Sequence, residues 1–398
     1  MIHQLIGTVR DLAGHIASQV VDVEVTDGLV PTWGAKILDW IQPMPSSVGP
    51  KFYAAPWGSD ISGTGRADSP WRSLAKANSL QPGDTLVLRG GGYGAKGSVF
   101  TWSRAGTPSN PVTIEGYPGE RPIVEGKVEI AGPWQRWART YFKGPTGNVG
   151  GPGPNGEANF VNLDGPHLEL LNCEIAYAQW HAGVSGSDAS DYRILGCYIH
   201  DNGGPNGDYT DPSQDNTSHG LYLSPSSFGL VANCLIEHND AKGLMGRHSS
   251  HHLMIVHNTI VANGRYGSNQ DDSANTWVYA NNIFMENARV KGGQGLSTDG
   301  APGPFWNIRN VFWRNGTNLN SHYDTDSNVT VVAPKVADPL FVKPALYTPQ
   351  QDPAPNWDHH IKPGSPAIGY GDPDYAVPFD IEGKPRIGRF DCGAYQAA

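Results

Sequence analysis

No run of about 18 apolar residues occurs in the chain, so no transmembrane helix is expected. Long Lys/Arg runs are missing as well, and 38 acidic against 28 basic residues leave a net charge of −10. A nucleic-acid backbone is repelled on average by such a surface, which excludes nucleic acid as an expected partner. An acidic glycan is not excluded, because local basic residues or a bound cation can reverse the sign inside one groove. The 50 Gly and 32 Pro follow no Gly-X-Y period, which excludes a collagen-like chain. The 12 Trp, 16 Tyr and 11 Phe among 38% apolar residues exclude disorder and leave ample material to bury. Residues 1–25 have neither a basic start nor an uninterrupted apolar centre, since Arg10, Asp11 and His15 break it. They are not expected to be a secretory signal, so either a signal lay upstream or another route exports the protein.

Cysteine is scarce too, with four residues at Cys173, Cys197, Cys234 and Cys392. Their placement belongs to a repeat. A seven-residue pattern with an apolar fourth position recurs without internal gaps at 172–178, 196–202, 233–239, 257–263, 281–287 and 309–315. The starts differ by 24, 37, 24, 24 and 28 residues. A 24-residue period holding short β-prone runs is one turn of a parallel β-helix, with coils stacked about 4.8 Å apart. Position four then stacks Ile175, Ile199, Ile236, Ile260, Phe284 and Phe312 into an inward column. Position seven stacks Asn202, Asn239, Asn263, Asn287 and Asn315 as an amide ladder at a corner. Position two stacks Cys173, Cys197 and Cys234, replaced by Asn in later coils, which predicts buried thiols in preference to disulfides.

Residues 51–60 and 82–88 resemble the opening of many bacterial parallel β-helix proteins, and residues 337–341, 360–368 and 391–395 resemble their closing segment. The resemblance covers almost all of the chain after residue 50. It implies an all-β, right-handed parallel β-helix solenoid of the pectate-lyase-like superfamily. That superfamily includes pectate and alginate lyases, epimerases, glycosidases, phage tailspikes and inert adhesins, so the expected partner is a polysaccharide. Between the opening motifs, residues 69–77 carry a Ser cap, a first-turn Pro and helix formers, predicting a capping helix over the open end of the coils. Ahead of them Ile2, Leu5, Ile6, Val9, Leu12 and Ile16 follow helical spacing, whereas Val21, Val23 and Val25 alternate as a strand does. The expected division is therefore an N-terminal helical segment in 1–50, the capped solenoid in 51–335 and a closing segment in 336–398. An apolar helix before a β-helix resembles the virion-attachment segment of a phage tail protein; packing on the first coils is the alternative.

The rhythm breaks twice, with thirteen extra residues between Asn202 and Gly220 and four between Asn287 and Gly295. Both insertions leave the same corner and flank the coils of Lys242 and Tyr266, giving a groove with two raised lips. Aligning Gly220, Gly243 and Gly267 puts His219, Lys242 and Tyr266 in one column. Four residues beyond lie Ser224, Arg247 and Asp271, then Pro225, His248 and Asp272. β-Elimination on a uronate needs a cation to neutralise the carboxylate and a base for the adjacent proton. Lys242, Arg247, His219 and His248 are the candidates, with Tyr266, Asp271 and Asp272 as substrate contacts. Arg247–Asp271 and His248–Asp272 also fit cross-coil ion pairs. Residues 244–249 resemble the strand carrying the arginine of alginate lyases of this fold, although the lysine of their preceding coil is replaced here by Ser224-Pro225. In the first insertion Asp208, Asp211 and Asp215 suit a hard, oxygen-ligated ion such as Ca²⁺, and their Gly/Pro/Asn/Ser surroundings also suit a solvated loop. A polygalacturonase-type pair of carboxylates ranks lower, because Ser218-His219-Gly220 precedes Asp271-Asp272 instead of following it. The expectation is an extracellular or virion-borne glycan-recognising protein: a phage tailspike-type lyase, homotrimeric and bound to other tail proteins. A non-catalytic adhesin and a secreted bacterial lyase are the alternatives.

Overall fold

The computed structural model describes residues 2–10, 16–24, 44–144, 159–178, 181–203, 218–289, 292–298, 303–316, 329–346 and 356–397. Each coil lays down three short strands on three faces, here called A, B and C. Lys242–Gly246 lies on face A, His251–Val256 on face B and Thr259–Val261 on face C. The next coil pairs with it in parallel and in strict 24-residue register, Leu244 with Ser268, Ile255 with Tyr279 and Ile260 with Phe284. Because side chains alternate across each strand, the repeat sends one residue of every face C strand inward. Ile175, Ile199, Ile236, Ile260, Phe284 and Phe312 are all fully buried in that column, and the rings of Phe284 and Phe312 stack 5.1 Å apart. Toward the N-terminal end Trp102, Trp137 and Phe142 fill the core edge to face.

The corner from face C back to A carries the predicted ladder: Asn202 Nδ2 donates to Asn239 Oδ1, Asn239 to Asn263, Asn263 to Asn287 and Asn287 to Asn315, each at 2.9 Å. Gly220 and Gly243 sit against this ladder, where a Cβ would come within 2.8 Å of the Asn239 or Asn263 amide nitrogen. The corner from B to C needs a left-handed residue, supplied by Asn172, Gly196, Asn233, His257, Asn281 and Arg309 at φ of 46° to 61°. Beside it Asn258, Asn282 and Asn310 form a second ladder at 3.0 and 2.9 Å. This ladder continues the cysteine column, since Cys234 N donates to Asn258 Oδ1 at 2.9 Å. All four cysteines are buried free thiols.

Two expected helices take other forms. Ile2–Arg10 and Ile16–Glu24 are strands paired antiparallel, Ile2 with Glu24 and Arg10 with Ile16, so the N-terminal helical segment is corrected to a hairpin. Of the six residues that gave the helical spacing, Ile2, Ile6, Val9 and Ile16 are β-branched and favour an extended backbone once a partner strand is at hand. The cap is a single 3-10 helix, Leu74–Ser79, which begins after Ser73 and not at Ser69. The chain at Trp71 is extended, its N–H bonding Tyr53 O at 2.9 Å. Leu74 and Ala77 still enter the core from this helix, so the predicted plug is in place. At the other end Phe341–Lys343 and Asp358–Ile361 form an antiparallel pair. Phe341, Ile361, Ala367 and Cys392 cover the outer side of face C at Val261, Ile283, Met285 and Val311.

Candidate functional site

On face A the core residues Val184, Leu221, Leu244 and Leu296 alternate with Ser185, Tyr222, Met245, Asn269 and Ser297 on the other side of the strands, of which all but Tyr222 are buried. Leu221 pairs with Leu244, which sets His219 level with Lys242, and Lys242 pairs with Tyr266, so the predicted column exists at the start of consecutive face A strands. Its side chains turn into packing, however. Lys242 is 5% exposed, with Nζ 3.1 Å from Met245 Sδ and 5.6 Å from the Tyr266 ring centre. His219 is buried, stacked on Tyr222 and edge-on to His181. Burial, helped by the charges of Lys242, His181 and Arg247, holds its imidazole well below the usual histidine range, so it is neutral at pH 7.

At the far end of the same strands the chain leaves face A through a tight turn in which His248, Ser249 and Asp272 adopt φ of 50°, 63° and 58°. This turn repeats on adjacent coils and throws two pairs of side chains outward. Arg247 Nε meets Asp271 Oδ1 at 3.1 Å, and His248 Nδ1 meets Asp272 Oδ2 at 3.1 Å. Arg247, His248 and Asp272 are about half-exposed. An ionised carboxylate only accepts, so in the neutral imidazole Nδ1 carries the proton and Nε2 presents a lone pair. The rows of Lys242 and Arg247 are five residues apart on one strand, about 16 Å at the strand rise. The two rows therefore lie at opposite ends of the face A strands, one buried and one exposed, and residues 204–217 of the first expected lip lie outside the described residues. Asp208, Asp211 and Asp215 lie outside the described residues. Among the described residues no group of three His, Cys, Asp or Glu side chains is placed to hold a metal.

A second polar cluster, on face C, escaped the sequence reading. His238 Nδ1 and His200 Nδ1 each lie 2.7 Å from Asp201, and His200 Nε2 lies 3.4 Å from Glu174. Arg121 caps Glu174 through two bonds of 2.8 Å. One coil on, Tyr198 donates to Glu237 Oε1 at 2.5 Å. Both rows follow from the repeat, since positions three and five of the heptad flank the inward residue and point outward. Charged residues there in three heptads, at Glu174, His200 and Glu237, were the available signal.

Residues 155–305 match the family model described as the right-handed beta helix region. The fold is a right-handed parallel β-helix. Among solved structures, pectate lyase Pel9A superposes with a TM-score of 0.61 at 14% identity, covering 89% of this chain and 98% of that one. A structure described as a glycoside hydrolase superposes with a TM-score of 0.52 at 9% identity, covering 71% and 89%. No curated protein matches by sequence. No helix among the described residues is long and apolar enough to cross a membrane.

Proposed function

We propose that the chain binds an acidic polysaccharide across the outer side of face A and cleaves it by β-elimination, as an extracellular or virion-borne depolymerase. The observation that carries the reading is the pair of exposed dyads, Arg247–Asp271 and His248–Asp272, on two successive coils. Asp271 engages Arg247 through Nε, and a guanidinium has four further N–H donors on its terminal nitrogens with which to fork a uronate carboxylate. Neutralising that carboxylate acidifies the neighbouring C–H, and His248 Nε2, oriented by Asp272, takes the proton as the C–O bond to the next sugar breaks. Both dyads stand on rigid strand ends, which holds base and neutraliser side by side. Lys242 and His219 shape the opposite wall, and Tyr266 extends it. The likeness in fold to a pectate lyase supports the substrate class. The proposal extends to Ca²⁺ on Asp208, Asp211 and Asp215, with chelation lowering glycan affinity and added calcium restoring it, and to a trimeric tail protein held to a virion by residues 1–50.

Incubation with pectate, alginate and other uronate glycans, followed by the near-ultraviolet absorbance of unsaturated ends, tests the reaction. Arg247→Ala and His248→Ala should each cut the rate about a hundredfold or more, the scale of losing an acid/base group. A wild type that cleaves while both variants keep full rate moves the site elsewhere. A wild type that binds such glycans and cleaves none makes the chain an adhesin.

A further inference from the structure

The outer side of face C changes character along the solenoid axis. From Thr259 onward its residues are covered by the closing segment, with Val261, Ile283, Met285 and Val311 in a shared apolar cluster. Over the earlier coils the equivalent positions hold Glu174, Tyr198, His200 and Glu237, and the closing segment arches across at Trp357, His359 and Tyr395. Sheet and arch line a half-open cavity of about 470 Å³. We infer that this cavity is a second carbohydrate site, independent of the face A groove, and that it takes one residue of a neutral hexopyranose.

Its volume falls within the roughly 300–1,000 Å³ of small-molecule sites, with room for a single ring and its waters. The walls combine ring surfaces with a few fixed polar groups. Tyr198 lies flat on His200 with centroids 3.8 Å apart, and Trp357 and Tyr395 line the cavity from the arch. Aromatic faces take the C–H face of a pyranose, while carboxylates and imidazoles take its hydroxyls.

Charge bookkeeping inside the cavity argues against an anionic sugar. Arg121 is engaged in two bonds to Glu174, and His200 is held between Asp201 and Glu174. Lys143 sits over the Tyr177 ring, 5.7 Å from its centre. An added carboxylate would approach the carboxyl groups of Glu174 and Glu237, whereas a hydroxyl brings no further negative charge beside them.

Glu237 marks where that hydroxyl docks. It is 1% exposed, lines the cavity, and its Oε2 has no hydrogen bond. The atom does lie 3.2 Å from His359 Nε2, but that nitrogen already accepts the Ala345 N–H at 3.3 Å, so a bond between them requires the proton to sit on Glu237. Burial pushes the Glu237 carboxyl up to about 7, so near neutrality it both donates and accepts, as a sugar hydroxyl does. A buried polar atom left without a partner is costly unless something occupies the space beside it.

The test uses the full chain and the methyl glycosides of glucose, galactose and mannose, titrated calorimetrically to about 50 mM, well above a millimolar Kd. Galacturonate serves as the anionic comparison. These neutral probes carry no carboxylate for Arg247, so the outcome is separate from the fate of the face A reading. At least one neutral glycoside should bind, and Trp357→Ala and Glu237→Gln should each weaken it about tenfold or more. Trp357→Phe, which keeps a ring, should retain most of the affinity, and thermal melts show whether each variant is folded. Binding of none of the three glycosides, preference for galacturonate in an Arg247→Ala protein, or full affinity in folded Trp357→Ala and Glu237→Gln proteins each overturns the inference.

Discussion

Ile236 lies between Ile199 and Ile260 in the inward column, and all three are sealed from solvent. An aspartate there has no partner, so Ile236→Asp should cost several kcal/mol and abolish or sharply lower the cooperative unfolding transition in urea; wild-type unfolding would contradict the register. In the adjacent column Cys173, Cys197 and Cys234 approach backbone carbonyls through Sγ, at 3.5, 3.5 and 3.3 Å for the nearest. Burial raises the Cys173 and Cys197 thiols well above the ordinary range, which leaves them protonated and inert. Alkylation in denaturant without reductant should label all four cysteines, and any bridge detected by mass spectrometry refutes this. Glu237 and His359 set the acid-base behaviour of face C. Glu237 keeps a proton in the folded state up to about pH 7 that an ordinary carboxyl releases near 4.5. The folded state thus binds more protons between those values, and stability falls as pH rises through that window. Glu237→Gln should remove the fall and gain on the order of 2–3 kcal/mol at pH 8 relative to wild type, with little gain at pH 4. His359 is displaced the other way, to about 3 by burial, so its contribution is present above pH 6.5 and is lost as pH falls toward 3. Urea titrations across pH measure both slopes.

Among the elements, the corners carry as much of the specification as the strands. Asn263 Nδ2 donates to Ile236 O, Val261 O and Asn287 Oδ1, while its Oδ1 accepts from the Asn239 side chain and backbone. Asn263→Ala should therefore orphan several buried groups at once and cost roughly 3 kcal/mol or more, read as a lowered urea midpoint with unchanged m. A loss under about 1 kcal/mol would show that water replaces the ladder. This ladder and the inward column were legible because stacking forces each coil to repeat the same residue at the same place. The second ladder, Asn258–Asn282–Asn310, was legible only as the residue that succeeds Cys, since nothing local says that an amide and a thiol share a corner. Elements outside the repeat fared worse. The strand signal of Val21 and Val23 lies in Ile16–Glu24, whereas the apolar spacing of Ile2–Arg10 fitted a helix equally well until pairing with Ile16–Glu24 decided it. At the cap, Ser69-Pro70 looked like a helix start, but Trp71 is held by Tyr53 and defers the helix to Leu74.

At the scale of the whole molecule the closing segment covers parts of two faces of the solenoid. Face B is covered along later coils, where Tyr375 and Val377 pack on Met254, Val278 and Ile308. The later part of face C is covered too, by Phe341, Ile361, Ala367 and Cys392. Of the residues singled out for chemistry, the alignment of His219, Lys242 and Tyr266 and that of Arg247 with Asp271 followed from the period alone. Which of them reach solvent did not, because the repeat gives each residue a face and a row but says nothing of how long side chains fold over their neighbours. Lys242 leaning on Met245 is such a case. Reading Glu174, His200 and Glu237 together required knowing that the closing segment arches over them at Trp357, His359 and Tyr395. The proposed function stands on recognition of a uronate carboxylate by Arg247 on face A. It is tested most directly by the affinity of wild type and Arg247→Ala for an oligouronate and for the same oligosaccharide with its carboxylates reduced to alcohols. Arg247→Ala should weaken binding of the uronate by about tenfold or more and leave the reduced ligand nearly unaffected; equal losses for both ligands, or no loss for either, would contradict it.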